Sequence, residues 1–207
     1  MSTLLTVRSF SHRYTGVSWV VNGGQRVVQL INQWPNHLGS ELNRESQKTP
    51  TLISYHRDGE RWGFKADSDK TTRCFKMALD DPAAHEMLLD DMGDYTDEAL
   101  RRRSQDGSRQ LGFDAKELTV DYLRNIWSYT EEHLRENVRP DWKRFYSPKV
   151  VIGVPAMWEP DTIGRFQGII KDAGLPNDFH LVSEPEAAAF AVFQERINRG
   201  IMFQASC

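Results

Sequence analysis

The stretch "KVVIGVPAMW", residues 149–158, constrains this chain more than any other. A run without apolar–polar alternation reads as a strand buried on both faces, so helices must cover it above and below. The residues after it agree. Glu159-Pro160-Asp161 opens a helix that should end at Gly174. "HLVSEPEAAAFAVF" then supplies a short strand and an alanine-rich helix, with Ser183 and Glu186 at capping-box spacing. Strand, helix, strand, helix in this order requires a sheet with helices packed on its faces.

The N-terminal part reads differently. Three strands are expected over residues 4–8, 14–21 and 25–32, the last two joined by a hairpin turn at Asn22-Gly23-Gly24. The first two meet at Ser9-Phe10-Ser11-His12-Arg13, a turn with no glycine and a bulky cation. A polar loop over 36–49 leads to Pro50 and a second strand pair, 51–55 and 61–66, around the turn signal Asp58-Gly59. Residues 67–113 are charged and read as helix or loop, with a helix start at Thr96-Asp97-Glu98 and a solvated face at Arg101, Arg102 and Arg103. Asp114 caps the clearest helix, where Leu118, Tyr122, Leu123, Ile126, Trp127, Tyr129 and Leu134 recur at helical spacing until Pro140. The predicted class is α/β: an antiparallel trio and two further strands in one mixed sheet flanked by helices.

Composition narrows the function classes. Lys+Arg 26 against Asp+Glu 29 leaves a net charge of -3, which argues against a nucleic-acid binder working through bulk electrostatics. No apolar run approaches the length of a membrane span, and the N-terminus lacks the layout of a signal peptide. Cys74 and Cys207 offer no metal spacing, so no metal site is expected, and a reducing, cytoplasmic location fits best. Six Trp and ten Phe serve mainly core packing and hairpin faces; the remainder can line an apolar cleft.

The runs "YTGVSWV", "FKMALD", "VIGVPAMW", "DAGL" and "LVSEPEAAAF", in this order along nearly the whole chain, carry a resemblance. Together they resemble the nucleotide-binding domain of the seventy-kilodalton heat-shock (DnaK-type) chaperones, of the actin-like ATPase superfamily, and look most like its divergent fungal branch. The resemblance implies an actin-like, ribonuclease-H-like sheet. It covers only the first of two lobes, with a core at 1–39 and 146–207 and a small α/β insertion at about 40–145. The chain ends before the second phosphate loop and the adenosine-binding segment that the resemblance would call for.

The same resemblance gives the turn after the first strand a meaning. In the family it carries an acidic residue, a glycine and two threonines that hold nucleotide phosphates and organise hydrated magnesium. Here Ser9 stands at the acid's position, Ser11 at the glycine's, and His12 and Arg13 at the threonines'. A serine lacks the carboxylate charge and His12 obstructs close backbone approach, so ATP and magnesium binding are expected to be lost and no cofactor is expected. Lys76 aligns with the lysine at the γ-phosphate, and Glu184 with the acid of the metal–water network. The plainer readings are a solvated lysine and a favourable acid at a helix N-terminus.

Three functional readings are open. The first is an ATPase-inactive, chaperone-like lobe that binds a ligand or partner, forming a homodimer through the exposed former lobe interface or taking a small hydrophobic ligand. The second is an enzyme reusing the former cleft for acid–base chemistry on a small metabolite (isomerisation, cyclisation or condensation), for instance in fungal secondary metabolism. There His12 carries the proton, Arg13 or Lys76 holds an oxyanion, Glu184 orients or accepts a proton, and Trp158 forms a wall. The third is a fragment without independent function.

Overall fold

The computed structural model describes residues 2–11, 13–22, 27–37, 46–56, 59–67, 73, 75–80 and 115–198, with the backbone alone for 2–9, 191 and 194–198. Its main sheet has the order β3-β2-β1-β7-β8, with β4 pairing β2 beside β3. The strands are β1 (Ser2–Phe10), β2 (Tyr14–Val21), β3 (Gln29–Leu30), β4 (Thr49–Pro50), β7 (Tyr146–Val154) and β8 (Phe179–Ser183). A separate hairpin joins β5 (Ile53–His56) and β6 (Gly59–Trp62). β1 runs antiparallel to β2 and parallel to β7, and β7 parallel to β8. Parallel neighbours need a crossover, and the helix α2 (Pro160–Asp172) supplies it between β7 and β8. The helices α1 (Ala115–Asn137) and α3 (Glu184–Asn198) complete a mixed α/β architecture.

Local chemistry explains most boundaries. α1 follows the expected periodicity, and Leu118, Tyr122, Leu123, Ile126, Trp127 and Leu134 are all buried. It also buries Thr119 and Thr130, whose hydroxyls donate to the carbonyls of Ala115 and Ile126 one turn back, both at 2.7 Å. Buried Asp121 accepts from the Tyr55 hydroxyl at 2.9 Å and from Arg124 at 2.6 Å, which fastens β5 to α1. α2 begins with Pro160 in its first turn and stops where Gly174 turns left-handed, at φ 76°.

Several expectations shift. Of the third strand expected over 25–32, the described residues show Gln29–Leu30, and Ile31 after it is fully buried and still donates its N–H to the Val17 carbonyl at 2.9 Å. The strand expected over 61–66 ends at Trp62, where Gly63 at φ 60° starts a 3-10 turn. Any side chain at Gly63 would place its Cβ 2.3 Å from the Thr49 hydroxyl. The polar loop is closed by Trp34, whose indole N–H donates to the Ser46 carbonyl at 2.8 Å, and it ends in β4. The hairpin glycines Gly23 and Gly24, the turn residue Asp58, the helix start at Thr96, the three arginines 101–103, the cap Asp114 and both cysteines lie outside the described residues.

β7 corrects the expectation of a strand buried on both faces. Val150 and Ile152 are fully buried and Val154 nearly so, while Val151 between them is half-buried. The buried face meets a single core centred on Phe10, whose ring stacks on Tyr122 of α1 at 5.8 Å and on Phe166 of α2 at 6.2 Å. The opposite face, with half-buried Val20, Val151 and Val182 and with Leu30 at 48% exposure, is covered only in part by the described residues. Among the described residues one face of the run is therefore sealed more fully than the other, since α1 and α2 both pack on the same side.

Candidate functional site

The turn between β1 and β2 closes on itself. Ser11 N–H donates to the Tyr14 carbonyl at 3.1 Å, the Ser11 hydroxyl to the same oxygen at 2.7 Å, and Tyr14 N–H to the Ser11 hydroxyl at 3.1 Å. The Ser11 hydroxyl thus helps to close the turn. The far side is stitched to the chain before β5. Thr51 donates its hydroxyl to the Ser11 carbonyl at 2.9 Å and its N–H to the Arg13 carbonyl at 2.9 Å, and a buried Thr15–Thr51 hydroxyl pair stands at 2.9 Å. Arg13 is exposed. His12 and the Ser9 side chain lie outside the described residues, so the site is built from the remaining positions.

Beneath this turn sits Lys76. It is 2% exposed, which overturns its reading as a solvated surface side chain. Its ammonium donates to the Phe10 carbonyl at the end of β1 and lies 3.4 Å from Glu184 Oε1. It also lies 4.8 Å from the centre of the Phe10 ring and 5.4 Å from that of Trp158, close enough for attraction to both π faces. Burial pushes its pKa down from 10.5 to about 8, against the pull of the Glu184 carboxylate. Glu184 is half-exposed at the first position of α3, where the helix dipole also favours an acid. The structure thus brings Lys76, Glu184 and Trp158 together beside the turn.

Neighbouring contacts hold these groups in place. Ser183 and Glu186 form the expected capping box: the Ser183 hydroxyl donates to Glu186 at 2.7 Å, Ser183 N–H to the same carboxylate at 3.1 Å, and Glu186 N–H to the Ser183 hydroxyl at 3.3 Å. Those bonds hold the Glu186 carboxyl below its ordinary pKa. On the other side, Lys76 enters a 3-10 turn, Met77–Leu79, that ends at Asp80. Asp80 accepts the Thr162 hydroxyl at 2.7 Å, and Arg165 donates to that hydroxyl at 2.9 Å, so α2 anchors the segment carrying the lysine. Sequence patterns alone do not single out the Asp80–Thr162–Arg165 chain. Its one local signal is the spacing of Thr162 and Arg165 on a helix face.

Among the described residues no group of three His, Cys, Asp or Glu side chains is placed to hold a metal ion, and no helix is long and apolar enough to cross a membrane. No protein-family model and no curated protein matches this chain.

Proposed function

We propose that the chain is a chaperone-like lobe, actin-like in fold, that no longer hydrolyses ATP and works by binding a ligand or a partner. The mixed sheet supports this reading, with its antiparallel trio continued by two parallel strands. The observation that carries it is the state of the turn and its lysine. A phosphate site needs free backbone N–H groups and an available cation. Here the N–H groups of Ser11 and Tyr14 already have partners inside the turn, and the Lys76 ammonium is held by the Phe10 carbonyl and Glu184. Groups engaged in this way are not available to a magnesium-bound triphosphate unless those contacts break. Phosphoryl transfer depends on several such groups acting together on the phosphates.

The partner we propose is a second copy of the chain. α3 presents Phe190 at 69% exposure beside exposed Val192 and Phe193, an apolar patch that a second copy can cover. A small hydrophobic ligand on the same surface is the other occupant consistent with this chemistry. The test is turnover of Mg-ATP by the purified chain beside its Lys76→Met variant. No turnover above the buffer blank, and no saturable nucleotide binding at low micromolar concentration, is the expected result. Metal-dependent turnover that Lys76→Met abolishes would end the proposal.

One observation favours the enzymatic alternative. A buried amine with a pKa near 8 beside a half-exposed carboxylate and an indole wall is an arrangement suited to proton transfer. In that reading His12 carries the proton, Arg13 or Lys76 holds an oxyanion, and Glu184 orients or accepts a proton. A metabolite that co-purifies with the chain and is lost in Glu184→Gln would decide for it over the binding lobe.

A further inference from the structure

The main sheet ends on β8, and among the described residues no strand pairs with its outer side. The register shows which backbone groups that leaves over. Val150 stands level with Phe179 and donates its N–H to the Asp178 carbonyl at 2.9 Å. In a parallel pair the residue level with such a donor turns its own N–H and C=O the other way. The same holds where Ile152 stands level with Leu181 and Val154 with Ser183. Phe179, Leu181 and Ser183 therefore aim their backbone groups away from β7. Ser183 N–H is already taken by the Glu186 carboxylate at 3.1 Å. The N–H and C=O groups of Phe179 and Leu181 remain, with no partner among the described residues.

Edge strands are commonly guarded against other strands by lysine, proline or a bulge. The sequence of β8, "FHLVS", contains no Lys, Arg, Asp, Glu or Pro, and its register with β7 runs without a break. Phe179 and Leu181 are half-buried and pack against the core, so the edge carries apolar side chains on that face. On the other face His180 is 59% exposed.

The free groups also select the occupant. An edge two residues long gives an extended peptide few main-chain bonds, which are the source of affinity in strand addition. A second β8, however, is complementary to the first. Laid antiparallel about a two-fold axis at His180, two copies set Phe179 of each opposite Leu181 of the other, and each such pair exchanges both N–H···O=C bonds. Every free group of both strands is then used. A register centred on Leu181 would instead set Phe179 opposite Ser183, whose N–H is engaged.

We propose that β8 pairs antiparallel with β8 of a second copy, centred on His180, so that the main sheet runs on from one chain into the other. The inference rests on the self-association proposed above and names its interface. The exposed Phe190 patch belongs to α3, which starts at the residue after β8, and adds apolar surface to so short an edge.

Amide hydrogen exchange of the full chain, followed by 15N NMR beside light scattering, tests it. As rising concentration converts monomer to dimer, the Phe179 and Leu181 amides should slow about tenfold or more, while Val182, whose N–H faces β7, should not change. His180→Glu sets two carboxylates directly opposite each other and should raise the dimer Kd about tenfold or more. Because that side chain is exposed, the melt at low concentration should stay as it is in the parent. If the parent remains a dimer on dilution, His180→Glu provides the monomer for comparison. A dimer whose Phe179 and Leu181 amides exchange as in the monomer, or one that His180→Glu leaves intact, overturns the edge pairing while self-association through α3 stands. A parent that is still monomeric at about 100 µM removes both.

Discussion

At the scale of the residue, Lys76 decides the character of the site. An ammonium this deeply buried costs stability unless its partners offset the lost hydration, and here the offset is incomplete, since its pKa falls from 10.5 to about 8. A shift of that size corresponds to about 3 kcal/mol between the two protonation states, of which the lost bond to the Phe10 carbonyl would offset about 1 kcal/mol in a variant. Lys76→Met is therefore expected to be more stable than the parent by about 2 kcal/mol near pH 7. The sign of the pH dependence comes from the direction of the shift. Between about pH 8 and 10.5 the unfolded chain holds the proton that the folded chain has released, so the parent gains stability as pH rises across that window. Urea melts of both proteins at several pH values should show the advantage of Lys76→Met shrinking over the same interval. A constant difference would mean that Lys76 is not charged and buried as described. A lysine kept at this cost fits a group retained for function.

At the scale of the element, the start of α3 links stability to the site. Ser183 and Glu186 satisfy each other's N–H groups, and the next residue along from Ser183 is Glu184, the partner of Lys76. Ser183→Ala should destabilise the chain by about 1 kcal/mol and raise amide exchange in the first turn of α3 before it affects α1 or α2. Protection unchanged in that turn would show that packing, not the cap, holds it. Because the Glu186 carboxyl is held below its ordinary pKa, its contribution is present above the ordinary carboxylate range and is lost as pH falls through the lowered value. The same element view explains β7. An unbroken apolar run reports that a strand is hydrophobic, but whether both faces are sealed depends on where the crossover helices land. Here α1 and α2 share one side.

At the scale of the whole molecule, several large apolar side chains among the described residues are exposed. Val27 and Val28 before β3, Leu30 within it, and Phe190, Val192 and Phe193 on α3 are each close to half-exposed or more. Surface of this kind favours association, and closed two-fold pairing is the commonest way for identical chains to cover it. Light scattering at about 10 µM should give the mass of a dimer, and Phe190→Glu should give a monomer with an unchanged melt at low concentration. A monomeric parent at that concentration contradicts the proposed self-association.

The sequence by itself determined the local elements of this protein: the long helix α1, the proline-started and glycine-ended α2, the cap of α3, and the alternation that predicts a mixed sheet. Periodicity, caps and turn residues act over a few positions, so they are visible in one dimension. Lys76 and Glu184 were legible as candidates only through a resemblance, and their contact spans 108 residues. Only the tertiary structure decided that Lys76 is buried rather than solvated, that Asp80 and Thr162 brace it, and that among the described residues one face of β7 is sealed more fully than the other. Strand order and register settle such questions, because burial and charge pairing depend on which distant segments share a face, and no short stretch of sequence carries that information.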